Sequence, residues 1–152
     1  MRALLQRVTQ ASVKIHGVET GCIDRGLVVF LGVSSKDAES DAAYLAERIA
    51  HLRIFQDDEG KTNLSLLEVH GSVLAISQFT LYADCTRGRR PGFSYAGRPE
   101  IAEPLYHRFM GLLRAFGVTV AEGQFGADML VEIHNDGPFT IMLDSDEKRR
   151  ED

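Results

Sequence analysis

Gln10-Ala11-Ser12-Val13-Lys14-Ile15 alternates strictly, with Ala11, Val13 and Ile15 on one side and Gln10, Ser12 and Lys14 on the other. That period of two predicts an antiparallel strand with one buried face. His16-Gly17-Val18-Glu19 reads as a hairpin turn into a second strand over residues 20–23. Residues 27–33, Leu-Val-Val-Phe-Leu-Gly-Val, contain no polar side chain, the pattern of a strand covered on both faces. A chain that opens this way is committed to a sheet, and the rest of the sequence says what covers it.

Ala38, Ala42, Leu45 and Ile49 recur at helical spacing behind Asp37, which predicts a helix over residues 38–51 with Asp37 as its N-cap. Two strands follow, over 52–56 and 73–79, separated by the turn-rich Asp57-Asp58-Glu59-Gly60. A second helix is predicted over 99–116, with Ile101, Leu105, Phe109, Leu112 and Phe116 on its apolar stripe and Gly117 as its stop. Pro104 removes a backbone donor inside that span, which places the start of the regular helix nearer Glu103. The chain closes with strands over 118–121, 129–135 and 139–144, the last two joined by an Asp-Gly-Pro turn. Strands, helix, strands, helix, strands, with no repeat and no linker, make one α+β domain rather than a doubly wound sheet.

Composition bounds the function. The chain has 152 residues, 44% hydrophobic and 26% charged, enough for one real core. No apolar run approaches the roughly 20 residues of a membrane helix, and the N-terminal stretch turns polar too early for a signal peptide. The expected location is the cytoplasm, with no membrane partner. Cys22 and Cys85 are far apart and lack a metal-ligand spacing, so free thiols are expected. His16, His51, His70, His107 and His134 form no H-x-x-x-H pair, so no metal and no cofactor are expected.

The net charge of −5 argues against a protein that grips long stretches of DNA or RNA, because such binding needs many Lys and Arg on phosphates. One local exception stands out. Arg87, Arg89, Arg90 and Arg98 are interleaved with Gly88, Gly92, Phe93, Tyr95 and Gly97, a composition that suits phosphate and base contacts, or simply a solvated loop.

Two segments adjoin apolar strand-like runs: Ser77-Gln78-Phe79-Thr80-Leu81 after residues 73–76, and Asn135-Asp136-Gly137-Pro138-Phe139-Thr140 after residues 129–133. Hydroxyls, amides and special backbone at the end of a buried strand are where sites are built. Together the two segments resemble the signature of the D-aminoacyl-tRNA deacylases, a Ser-Gln-Phe-Thr stretch and a Gly-Pro-Val-Thr stretch. The resemblance runs from Leu5-Gln6-Arg7-Val8 through Arg53-Ile54-Phe55 and Gly123-Gln124-Phe125-Gly126-Ala127-Asp128-Met129 to Leu143. It implies a deacylase domain over residues 1–144 and leaves a charged tail over 145–152.

What the resemblance implies is specific. The fold is a largely antiparallel, barrel-like sheet with two packed helices. The activity is hydrolysis of the ester of a D-aminoacyl-tRNA, a chiral proofreading step, with aminoacylated tRNA as partner and a homodimer as the working unit. Ser77, Gln78 and the backbone of Phe79 and Thr80 place the ester carbonyl. Gly137 and Pro138, through a cis bond, turn backbone carbonyls toward the amino acid's Cα and exclude an L side chain by clash. Arg7 holds that turn, and Phe125 and Met129 receive the terminal adenine. Phe139 stands where the family has Val.

The residues by themselves leave alternatives open. Thr80 has no base at a spacing that would activate it, and in isolation reads as a β-branched strand residue rather than a nucleophile. An aminoacyl ester is already reactive and has a ribose 2′-hydroxyl beside it, so positioning and an oxyanion site suffice and no triad is expected. Thr140 is either a site hydroxyl or a strand residue, and Phe125 and Met129 are either core or an adenine pocket. Arg7 shares the parity of Ala3 and Leu5, so an unbroken strand buries it and demands partners, whereas a bulge turns it to solvent. Two readings from other classes are a cysteine hydrolase using Cys85 with His107 or His70, and a non-catalytic nucleic-acid module using the arginine loop.

Overall fold

The alternating segment belongs to a longer strand that organises the whole sheet. The computed structural model describes residues 1–150. Among them the order is β1 (Arg2–Ile15), β2 (Val18–Ile23), β3 (Gly26–Gly32), α1 (Glu39–His51), β4 (Arg53–Gln56), β5 (Thr62–Ser65), β6 (Ser72–Ser77), α2 (Pro99–Ala115), β7 (Thr119–Glu122) and β8 (Leu130–Asp144). Short 3-10 turns cover Phe79–Tyr82 and Ser145–Arg150.

β1 pairs antiparallel with three strands. Its first half lies on β3 (Ala3 opposite Leu31), its second half on β2 (Val13 opposite Gly21), and nearly its whole length on β8. β6 then adds to β3, and β7 to β6, both in parallel. The sheet is therefore mixed, because each of these parallel strands is reached by a crossover that carries a helix. β7 returns close to β2: a Cβ on Gly21 would stand 2.8 Å from the Glu122 carbonyl oxygen. The sheet is thus nearly closed into a barrel, with two helices packed on it, as the resemblance implies.

The apolar run of β3 is explained by its two covered faces. Leu27, Val29 and Leu31 face α1 and α2, where they meet Leu45, Ile49 and Phe109. Val28 faces the other way, into a second cluster with Val8, Val13, Leu74 and Ile76. Full burial of each such side chain contributes about 1.5–3 kcal/mol. The β1–β2 connection is tighter than expected. Ile15 pairs with Val18, and only His16 and Gly17, both at positive φ, form the turn.

The helices correct the sequence reading in three places. The N-cap of α1 is Ala38, whose N–H donates to Asp41 Oδ2 at 2.8 Å. Asp37 lies one residue outside and is used elsewhere: Oδ1 accepts from the Met1 ammonium at 2.7 Å and Oδ2 from the Ser34 N–H at 2.7 Å. α2 begins at Pro99, not near Glu103. Pro104 and Glu100 are both exposed, so the carbonyl that Pro104 leaves unpaired faces water. The buried stripe of α2 is Ala102, Leu105, Tyr106, Phe109, Met110 and Leu113, while Ile101 and Phe116 are exposed. The stop at Gly117 is as predicted, with Gly117 N–H donating to Arg114 O and Val118 N–H to Leu113 O.

The largest difference concerns the chain's end. Residues 129–135 and 139–144 are not two arms of a hairpin but one strand, β8, both parts of which lie on β1. Asn135 pairs with Val8 and Thr140 with Gln6, so Asp136-Gly137-Pro138-Phe139 bulge out opposite Arg7 alone. β5, which pairs with β4 as a small separate hairpin, has no counterpart among the predicted strands. Thr62-Asn63-Leu64-Ser65 carries too little apolar character to announce a strand. In the tail, Ser145 is buried and accepts from the Met1 ammonium at 2.6 Å; residues 151–152 lie outside the described part.

Candidate active site

β6 ends at Ser77, and the chain turns at once into the 3-10 segment Phe79–Tyr82. Phe79 and Thr80 therefore lie beyond the strand in which the sequence pattern places them, and both side chains are exposed. The Gln78 N–H donates to Leu31 O at 2.8 Å, which ties the turn to β3. The Gln78 side-chain amide donates to Thr80 Oγ1. As in any helical turn, the first N–H groups have no partner within it. No hydrogen bond among the described residues uses those of Phe79 and Thr80.

This turn forms one wall of a cleft of about 630 Å³. Ser77, Gln78 and Phe79 line it together with Phe125 and Met129, so the structure brings five of the sequence-predicted residues into one place. Phe93, Gly97 and Arg98 contribute from the arginine loop, and Phe93 meets Phe79 edge to face with ring centroids 4.9 Å apart. Phe125 also packs on the buried Tyr106, whose hydroxyl donates to Ala75 O at 2.8 Å and whose burial pushes the phenol pKa up. Met129 lies against Gly123, where a Cβ would come within 2.3 Å of its sulfur.

Arg7, Gly137, Pro138 and Thr140 form a second cluster, and none of them lines the cleft. Arg7 is 6% exposed. Its Nε donates to the Asp136 carbonyl at 3.0 Å and its Nη1 to the Ile54 carbonyl at 2.6 Å, while Asp136 Oδ2 lies 3.7 Å from Nε. The strand thus does bury the guanidinium, and two carbonyls supply what burial demands. The Gly137–Pro138 peptide bond is cis, and both residues are exposed. Gly137 has φ +137, and a Cβ there would also stand 3.1 Å from Arg7 Nη2, so the position needs glycine. Thr140 Oγ1 accepts from Asn135 Nδ2 at 3.0 Å and Gln6 Nε2 at 3.3 Å, and Asn135 Oδ1 accepts the Phe139 N–H at 2.8 Å. Asn135 and Gln6 are holders of the bulge to which the sequence reading gives no role.

Cys85 is a free, exposed thiol beside the arginine loop. The other thiol, Cys22, borders a separate polar concavity of about 510 Å³ with Glu19, Glu132 and His134. A hydrogen bond and charge from Glu19 push the Cys22 pKa up, which makes it a weaker nucleophile. Among the described residues no group of three or more His, Cys, Asp or Glu is placed to hold a metal ion. No helix among them is long and apolar enough to cross a membrane.

The comparisons with known proteins identify the family. The profile of the D-Tyr-tRNA(Tyr) deacylase family matches residues 4–144. A D-aminoacyl-tRNA deacylase of Fervidobacterium nodosum is 58% identical over 145 residues, covering 95% of this chain and 97% of its own. One of Thermus aquaticus is 55% identical over 148 residues, covering 97% of each chain. Among solved structures, a c-Myc DNA unwinding element binding protein superimposes with a TM-score of 0.89 at 38% identity, over 95% of this chain and 98% of its own. A probable eukaryotic D-amino acid tRNA deacylase, at 22% identity and a TM-score of 0.81, shares the fold over 93% of this chain and 97% of its own. The chain belongs to the D-Tyr-tRNA(Tyr) deacylase family.

Proposed function

We propose that this protein removes D-amino acids, and glycine, from tRNA, and that it rejects L-amino acids with backbone rather than with side chains. The underlying activity is that of the family: the protein is a D-aminoacyl-tRNA deacylase, an ester hydrolase. The observation that supports the placement of the substrate is the cleft lined by Ser77, Gln78, Phe79, Phe125 and Met129.

In this reading the terminal adenosine stacks on Phe125 and Met129, which leaves the ester at the mouth of the 3-10 turn. The Phe79 and Thr80 N–H groups receive the oxyanion as the carbonyl becomes tetrahedral, a contact that strengthens only as charge develops. The ribose 2′-hydroxyl is held beside the scissile bond and water completes hydrolysis, so Thr80 serves position rather than covalent attack.

The chiral filter comes from a second copy. Gly137 and Pro138 are exposed, fixed from behind by Arg7 and Asn135, and absent from the lining of their own chain's cleft. That arrangement suits a homodimer in which the Gly-Pro turn of the partner subunit closes each cleft. Its carbonyls pack against one face of the substrate Cα, where a hydrogen fits and a side chain does not. Glycine has hydrogen on both faces and passes the filter.

The test is ester loss from D-tyrosyl-, L-tyrosyl- and glycyl-tRNA, with sedimentation on the same preparation. The expected result is rapid loss from the D and glycyl forms, persistence of the L form, and a dimeric mass. Equal D and L rates sink the filter, an inert glycyl-tRNA assigns selectivity to side chains, and an active monomer removes the partner subunit from the site.

A further inference from the structure

Arg87, Arg89, Arg90 and Arg98 fall within twelve residues of a chain of net charge −5, and no ion pair among the described residues neutralises them. Arg2, Arg7, Arg108 and Arg114 are paired with Asp144, Asp136, Glu39 and Glu122. Among the described residues no ion pair involves Arg87, Arg89, Arg90 or Arg98, and all four are exposed. The carboxylate nearest Arg87, Arg89 and Arg90 in sequence is occupied. Asp84 Oδ1 accepts from Thr86 Oγ1 at 2.6 Å and from the Thr86 N–H at 3.0 Å, bonds that hold its pKa down.

The loop that carries them has a defined base. Asp84 and Gly92 exchange backbone hydrogen bonds of 2.7 and 2.8 Å, which pinches off residues 85–91 as a closed projection. From there the chain runs directly into the cleft through Phe93 and Arg98, and the Gly97 N–H donates to Val33 O at 2.8 Å, anchoring that end to the strand region. Phe93, 39% exposed, is braced by Phe79 of the catalytic turn. Positive charge is therefore concentrated next to the mouth of the cleft on an otherwise acidic protein, an arrangement that steers and holds a polyanion whose end enters there.

We propose that the 85–91 loop grips the phosphate backbone of the tRNA acceptor end through Arg87, Arg89 and Arg90 while the terminal nucleotide occupies the cleft. The inference rests on the deacylase reading above and adds the surface that distinguishes tRNA from a small aminoacyl ester. The contacts are to phosphates, so they supply affinity and orientation without reading the base sequence.

The test compares wild type with Arg87→Ala/Arg89→Ala/Arg90→Ala and with the corresponding triple Lys variant. The substrates are D-tyrosyl-tRNA and the D-tyrosyl ester of adenosine, which lacks the stem phosphates. For the triple Ala variant, KM for the tRNA is expected to rise about tenfold at low salt with kcat unchanged. Its salt dependence flattens by about one log unit per log of salt for each phosphate no longer gripped. The adenosine ester is expected to be hydrolysed equally by both proteins, and the Lys variant to retain most of the tRNA affinity. Unchanged KM and salt slope, in a wild type that does hydrolyse D-tyrosyl-tRNA, overturn the proposal. So does an equal loss on the tRNA and the adenosine ester, which would make the loop part of the cleft itself. A wild type that leaves D-tyrosyl-tRNA intact overturns the deacylase reading, and this inference with it.

Discussion

The guanidinium of Arg7 lies over the ring of Phe139, its central carbon 4.6 Å from the ring centroid. The same side chain holds the carbonyls of Asp136 and Ile54, so one buried cation ties the β8 bulge to β4 and to the core at once. The Phe139 ring forms this stack. It also packs against the main hydrophobic cluster.

Phe139→Val is expected to destabilise the protein by about 2 kcal/mol, from reduced burial and removal of the cation–π stack. Deacylation should persist, because the two carbonyl bonds of Arg7 do not involve the ring. Urea unfolding alongside D-tyrosyl-tRNA turnover checks both halves. A stable variant would show that the ring contributes no packing, and an inactive one would place it in the site.

Arg7→Lys tests the bond pair itself. A lysine ammonium is a point charge on a flexible stem and cannot bridge two carbonyls as the guanidinium fork does. The expected outcome is a folded protein that loses at least about 2 kcal/mol of stability and also loses D-aminoacyl-tRNA turnover as the Gly137–Pro138 backbone loosens. Full turnover in a destabilised variant would reduce Arg7 to a structural role.

Gly26→Ala should be the most damaging of the glycine substitutions in the sheet. Gly26 pairs with Ser72 in the parallel β3–β6 ladder, and a Cβ there would stand 1.8 Å from the Ser72 carbonyl oxygen. The obstacle is backbone, so no rotamer relieves it. A loss of about 3 kcal/mol or more, the upper end for overpacking, is expected in thermal unfolding. A near-wild-type melting temperature would show that the strands move apart freely.

How legible the fold was depended on the kind of signal. The 10–15 alternation, the apolar 27–33 run and both helices announce themselves because burial imposes a period. The β8 bulge does not. Asp136-Gly137-Pro138 has the composition of a hairpin turn, and only the pairing of both flanks with β1 makes it an insertion in a single strand. The N-cap failed for a related reason: Asp37 is chemically suited to cap α1, but the Met1 ammonium, 36 residues away in sequence, takes its carboxylate. The cleft was legible as motifs and not as geometry. Thr80 looks like the end of a strand, and local composition does not reveal that the strand stops at Ser77. Phe93 and Arg98 reach the cleft through contacts distant in sequence, which no local pattern records.

Thr80→Ala and Cys85→Ser separate positioning from covalent catalysis. Thr80 Oγ1 accepts from the Gln78 amide and has no base beside it, and Cys85 lies on the exposed loop. Thr80→Ala should cost less than the ~10²-fold that removal of an oxyanion donor costs. Cys85→Ser should change stability by no more than about 0.5 kcal/mol and leave turnover intact. Total loss in a folded Cys85→Ser protein would establish a thiol hydrolase.

Glu68 gives a pH dependence whose sign follows from its partners. Its Oε2 accepts the Ser65 N–H at 2.7 Å and the Ser65 hydroxyl at 2.8 Å, and the Ser65 Oγ accepts the Glu68 N–H at 3.3 Å. The backbone bond foremost, then the hydroxyl, hold its pKa below the ordinary 4.5. A carboxylate with a lower pKa folded than unfolded binds fewer protons when folded, so stability rises with pH across that window. Its contribution is complete above about pH 4.5 and disappears as pH falls through the lowered folded value. Gln at this position keeps an acceptor but has no charge to titrate. Wild type should therefore exceed Glu68→Gln in urea midpoint at pH 6, and the gap should narrow by about pH 3.5. Glu132 and Asp84 are also held low by hydrogen bonds, from Lys14 and Ser12 and from Thr86, so the gap is read against a Glu132→Gln control at both pH values. A carbon-13 titration of the Glu68 carboxyl with a midpoint at or above 4.5, or a gap that stays constant between the two pH values, would show that Ser65 does not favour the charged form.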